Sequence, residues 1–62
     1  MKKRLKRQTW NTWKIHGILQ IQVRREKWGW RQRVLQGDVI RHSAYPITDA
    51  EGEARFAAAK EY

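Results

Sequence analysis

From Trp13 the chain alternates without interruption. Trp13, Ile15, Gly17, Leu19, Ile21 and Val23 fall on one side, and Lys14, His16, Ile18, Gln20, Gln22 and Arg24 on the other. Period two over this length, in side chains rich in β-branched and aromatic types, predicts one half-buried strand over 13–24. The polar run Arg24-Arg25-Glu26-Lys27 then reads as a hairpin turn. A second strand over 28–35 places Trp28, Trp30 and Val34 on one face and Arg31, Arg33 and Leu35 on the other. Gln36-Gly37-Asp38 is a stronger turn signal, because glycine tolerates the positive φ of tight hairpins. A third strand follows over 39–45, with Ile40 and Ala44 inward and Val39 and Arg41 outward; a slip of one residue would reverse that facing.

Pro46 marks the end of the sheet, and Thr48-Asp49-Ala50-Glu51 has the form of a capping box. In such a box the Thr48 hydroxyl and the Glu51 carboxylate satisfy the first free amides of a helix. Asp49, Glu51 and Glu53 also suit the positive end of its dipole. A C-terminal helix over 48–61 follows. Ala50, Ala54, Ala57 and Ala58 share a face that could approach the sheet closely, with Phe56 off that stripe and Gly52 weakening the first turns by up to ~1 kcal/mol. The expected fold is α+β: a three-stranded antiparallel sheet packed on one C-terminal helix, in the order β-β-β-α, forming a single domain over 10–62.

Length narrows the function. A chain of 62 residues holds one small core, which excludes large multi-step enzymes. It has no cysteine, hence no disulfide scaffold and no thiolate zinc site. No stretch approaches the ~18 apolar residues of a membrane span, and the start of the chain runs into polar residues, not an apolar signal stretch. A cytoplasmic protein is expected, nucleoid-associated if it binds DNA.

Charge changes the picture more, because it is uneven. Residues 1–33 carry eleven Lys or Arg and one acid, Glu26, whereas residues 34–62 carry three bases and five acids. A polyanion would relieve the self-repulsion of the basic half. Lys2, Lys3, Arg4, Lys6 and Arg7 crowd residues 1–9, which read as a disordered basic arm able to track phosphates. One helix covers only one face of a sheet, so the other face meets water or a partner. On the predicted strands that open face carries Lys14, His16, Gln20, Gln22, Arg24, Arg31, Arg33 and Arg41, and no acid. Arginine and glutamine pair bidentately with guanine and adenine edges, lysine grips phosphate, and a two-stranded ribbon fits the major groove. The expected partner is nucleic acid, DNA before RNA, bound by Lys14, Gln20, Gln22, Arg24, Arg31, Arg33, Arg41 and the arm. The alternative is a protein-interaction module or inhibitor whose basic face docks an acidic protein surface. An uncovered strand edge allows a monomer or a weak dimer.

The basic arm, the aromatic-rich strand WGWRQRV and the alanine-rich helix segment ITDAEGEARFAAAKEY resemble the arm-site DNA-binding domain of phage-type tyrosine recombinases, and the AP2-like domains that share its plan. The resemblance covers residues 13–62 and implies a sheet in the major groove braced by the helix. It carries Gln22, Arg24, Arg31 and Arg33 onto DNA-contacting strand positions, implies a phage or mobile-element regulator, and carries over no catalytic residue. The segment DVIRHSAYPITDAEGEA is similar to small bacterial YegP-like domains, which implies the same fold without DNA binding.

Catalysis is not expected. His16 and His42 lack any carboxylate placed by spacing to orient them, although Ser43 adjoins His42. Two histidines so far apart, without cysteine, have no metal-ligand spacing, and no glycine-rich phosphate loop exists, so no cofactor is expected. Trp28 and Trp30 are expected in the core, with stacking on unpaired bases as their other use. Trp10, beside the arm, is the best candidate for an exposed aromatic, and with the arm could instead dock on an anionic membrane surface.

Overall fold

The structure, a computed structural model, describes residues 5–62. Four strands run in sequence, β1 (Asn11–His16), β2 (Leu19–Glu26), β3 (Gly29–Gln36) and β4 (Val39–Ile47), and one helix follows, α1 (Asp49–Lys60). The strands form one antiparallel sheet in the order β1-β2-β3-β4. The α+β class, the antiparallel sheet and the C-terminal helix are as the sequence predicts, but the strand count is four, not three. The expected single strand over 13–24 is two strands joined by a turn at Gly17 and Ile18. Gly17 has φ +62°, a conformation that favours glycine at the first position of a two-residue hairpin turn, and Gly37 repeats it with φ +60°.

Three irregularities set which side chains share a face. Trp13 is the extra residue of a bulge in β1, because Thr12 pairs with Gln22 and Lys14 already pairs with Ile21. Arg41 is likewise the extra residue in β4, between the pairs Val34 with His42 and Leu35 with Ile40. A further shift in β4 lies between the partners of Trp30 and Gln32, and the strand runs through Pro46 to Ile47 instead of stopping at the proline. Cross-strand partners lie on one face. Lys14 and His16, opposite Ile21 and Leu19, therefore lie on the helix side, whereas Ile15, opposite Gln20, lies on the open side. This reverses the expected facing of all three. Ala44 faces the helix side as expected, but the bulge at Arg41 sends Ile40 to the open side with Leu35, and Val39 to the helix side with Gln36.

The core lies between the sheet and α1. Val23 is fully buried, Trp30 is 1% exposed and Phe56 is buried against them, with Leu5, Trp13 and Ile47 packed around. The Trp30 and Phe56 rings meet at a tilt, centroids 5.8 Å apart. An indole of this burial removes roughly 150–250 Å² from water, worth about 4–6 kcal/mol at ~25 cal/mol/Å². The helix turns a different face to the sheet from the one its alanines suggest: Gly52, Phe56 and Ala59 are buried, while Ala50, Ala54 and Ala57 are exposed. Burying the phenyl ring contributes about 1.5–3 kcal/mol, and only the face bearing Gly52 leaves the space into which the Trp30 ring fits. The capping box forms as predicted. Glu51 N–H donates to the Thr48 hydroxyl at 3.1 Å, and Thr48 N–H donates to the Glu51 carboxylate at 3.4 Å.

Residues 5–9 are tied to the domain by Leu5 and by backbone contacts, while residues 6–9 stay exposed. Leu5 joins the apolar cluster, Arg25 N–H donates to the Arg7 carbonyl, and the buried Asn11 amide donates to the carbonyls of Lys6 (2.7 Å) and Thr9 (2.8 Å). The rest of the predicted arm, including Lys2, Lys3 and Arg4, lies outside the described residues. Among the described residues no helix is long and apolar enough to cross a membrane.

A Cβ added at Gly52 would overlap Cγ, Cδ1 and Cδ2 of Trp30. Gly52→Ala gains up to ~1 kcal/mol of helix propensity but overpacks a ring that has nowhere to go, at a cost of about 1–3 kcal/mol or more. The expected outcome is net destabilisation, seen as a lower urea midpoint. An unchanged or raised midpoint would show that α1 does not rest on Trp30.

Candidate nucleic-acid interface

The face of the sheet away from α1 is ordered in rows across the strands. At the end bearing the Gly17 and Gly37 turns, Ile15, Gln20, Leu35 and Ile40 stand side by side. Thr12, Gln22, Arg33 and Ser43 form the next row, and Arg24 and Arg31 are partners in the row after it. Apolar groups thus occupy one end and cations the other.

The cationic end is held by side-chain contacts. Arg33 Nε donates to Gln22 Oε1 at 2.7 Å, and Gln22 Nε2 donates to the Thr12 hydroxyl at 2.9 Å. Glu26 Oε2 accepts from Arg24 Nε at 2.7 Å and from Arg31 Nε at 2.9 Å. Aromatic rings underlie the same guanidinium groups. Arg24 and Arg33 both lie over Trp10, with Cζ 4.6 and 4.1 Å from the ring centroid, and Arg31 lies 4.1 Å over Tyr45. Arginine over an aromatic face is attracted by the ring quadrupole; Arg31 and Arg33 engage Glu26 and Gln22 through Nε, whereas Arg24 also sets a terminal nitrogen 2.7 Å from Glu26 Oε2.

Two guanidiniums on one indole repel each other. Burial first, and the nearby charge of Arg24 second, pull the Arg33 pKa below its ordinary value. Glu26 moves in the same direction for the opposite reason: the hydrogen bond from Arg31, then those from Arg24 and both charges, hold its carboxyl below the ordinary 4.5 against a smaller effect of burial.

The residues expected to bind fall into two groups. Gln20, Gln22, Arg24, Arg31 and Arg33 share the open face, as expected from β2 and β3. Lys14 is on the helix side, and Arg41 is the exposed bulge residue of β4. Arg7 is tied to the helix, 3.1 Å from Glu53 and over the Phe56 ring, and Lys6 is exposed beside it. The sequence reading missed Trp10, Thr12, Tyr45 and Glu26 as members of this face, and its expectation of a face without acid is corrected by Glu26. Plain alternation along β2 from Gln22 and Arg24 would have found Glu26; the reading of 24–27 as a turn hid it.

Trp28 also differs from expectation. It sits at the two-residue tip between β2 and β3 and is 76% exposed, so it is not part of the core. Among the described residues no cluster of three His, Cys, Asp or Glu side chains could hold a metal ion, and no pocket is present. No family model, curated protein or solved structure matches the chain.

Acid should loosen this side-chain network. Glu51 is also held below the ordinary carboxylate value, mainly by its hydrogen bonds with Thr48. A depressed carboxyl pKa contributes stability that is present above the unfolded value and lost as pH falls through the folded one. The urea midpoint should therefore hold from neutrality to about pH 4.5 and decline below it. Glu26→Gln should lower the midpoint at pH 7 and make the acid decline shallower. An acid decline identical in wild type and variant would show that Glu26 carries no such linkage.

Proposed function

We propose that the protein binds DNA through the open face of its sheet, with the basic N-terminal residues adding phosphate contacts. The observation that carries this reading is the convergence of Arg24 and Arg33 on the single Trp10 ring, beside Arg31, where the one acid is already shared by two of the three. Like charges held together in a half-buried place are relieved by an anion, and the terminal nitrogens of stacked arginines suit phosphate oxygens or a guanine edge. A sheet of this kind, backed by a helix on its other side, can present a ribbon of polar side chains to a groove.

The contacts also sort the roles. Gln22 spends its carbonyl on Arg33 and an amide hydrogen on Thr12. It positions Arg33, and Gln20, exposed in the neighbouring row, is the amide free to meet a base edge. Arg24, Arg31 and Arg33 supply charge and guanine-type donors. The chain serves as a binding module and not an enzyme, in keeping with the regulator role that the resemblance to recombinase arm-site domains implies.

A second reading is favoured by the apolar row. Exposed Ile40 adjoins Leu35, and exposed Ile15 stands across Gln20 from them, on the same face as the arginines. Apolar groups beside arginine also describe a protein interface, here one complementary to an acidic surface.

Duplex binding measured against salt separates the two. If ~6 cations meet phosphate, log affinity falls with log salt at a slope near −5, and Arg24→Gln, Arg31→Gln and Arg33→Gln should each lower the slope by about one. Amide shifts in an NMR titration should cluster on β2 and β3. Shifts confined to the first nine residues, or none at physiological salt, would sink the groove reading and leave the protein partner.

A further inference from the structure

We propose that Trp28 is a base-stacking residue: the tip of the β2–β3 hairpin takes up an unpaired nucleic-acid base beside the duplex held by Arg24 and Arg31. This deepens the DNA reading above and rests on it.

The starting point is the exposure of Trp28, 76% in a protein whose other hairpin-flanking indole, Trp30, is 1% exposed. Leaving an indole in water forgoes the largest burial that a side chain offers. Nothing in the turn requires one there. The backbone demand at this tip falls on Gly29, with φ +151° and a Cβ position only 3.0 Å from Pro46 Cβ. A polar residue at position 28 would serve the fold equally well.

The surroundings of Trp28 indicate what it would meet. Lys27 Nζ lies 5.0 Å from its ring centroid, and the pair Arg24 with Arg31 stands two residues inside the closing pair Glu26 with Gly29. Two strand residues span ~7 Å, about two base steps of a stacked strand. Glu26, the acid between, is consumed by the two arginines. The tip is thus a planar apolar group with one cation over its ring and two more a ~7 Å step back along the strands. An indole meant for a bilayer or an apolar protein pocket would sit among other exposed apolar groups. The exposed Ile18, Val39 and Ile40 lie instead at the opposite end of the sheet, around the other two turns. A planar group beside phosphate is the defining chemistry of a nucleotide, and an unpaired base offers its π face without the cost of breaking a pair.

The test compares a fully paired DNA duplex with the same duplex carrying one extra unpaired adenine, by fluorescence anisotropy with wild type, Trp28→Ala and Trp28→Phe. Wild type should prefer the bulged duplex by about tenfold, the size of one base–aromatic stack, and Trp28→Ala should abolish that preference while binding the paired duplex as wild type does. Trp28→Phe should retain part of it. The Trp28 indole N–H resonance should move with the bulged duplex and stay in place with the paired one. That readout, together with Trp28→Phe, keeps the test valid if the alanine variant is poorly folded. Equal affinity of wild type for the two duplexes, or a preference that survives Trp28→Ala, overturns the stacking role and leaves groove binding intact. Movement of the Trp28 resonance with phosphatidylserine vesicles but not with the bulged duplex assigns the tip to membranes and overturns it as well. Failure to bind either duplex at physiological salt removes the DNA reading itself, and this inference with it.

Discussion

The close approach of the Trp30 ring to the helix backbone at Gly52 is the contact on which the rest of the structure depends. A domain of this size has room for little more than one large aromatic cluster, and here Trp30, Phe56 and Val23 form it. Only a residue without a side chain lets the ring reach the helix axis, so the position of Gly52 fixes which face of α1 turns inward. Phe56 and Ala59, one and two turns further on, then fall on the same line. The helix is thereby committed to one side of β2 and β3, and the opposite side of those strands is left open. That face is open because the core is built on a single side.

The segments legible in the sequence were those whose signal is local. The Thr48 and Glu51 capping box, the helix and the alternation of β2 needed no knowledge of tertiary contacts. The strand count failed for a reason that is itself physical. The bulge at Trp13 reverses the side-chain alternation once, and the two-residue turn at Gly17 and Ile18 reverses it again. Two reversals cancel. Trp13 and Leu19 therefore share a face, as an unbroken strand would have them, and only Lys14 to His16, between the reversals, give the turn away. The helix face misled differently: the alanines made the more regular stripe, but the Trp30 ring needs a residue without a side chain, and Gly52 with Phe56 one turn on supplies that face. Trp28 was misplaced because alternation with Trp30 ignored that a turn residue obeys no pleat.

The tryptophans divide between the two sides of the sheet according to their contacts. Trp30 fills the core and Trp13 borders it, with Arg55 over its ring. Trp10 serves the open face, where it carries Arg24 and Arg33. Such stacking restrains long side chains that would otherwise lose rotamer freedom on meeting a partner. Gln22 and Thr12 add to the restraint at Arg33, and Glu26 at Arg24 and Arg31. Much of the ordering cost of the face is met in the free protein.

That arrangement has a consequence for how the face discriminates. A glutamine bonded on both sides is a poor reader of adenine, because taking up a base would break its bond to Arg33 and leave a half-buried guanidinium less well held. On the proposed DNA reading, recognition by this face would rest chiefly on the arginines, which suit phosphate and guanine alike, and on Gln20 in the row of Ile15, Leu35 and Ile40 at the other end. For such a surface the DNA reading implies affinity dominated by charge, with modest selectivity from a few fixed groups. Sharper selectivity would then have to come from the shape of the nucleic acid, which an aromatic tip beside a cationic face is better suited to sense than a sequence of paired bases.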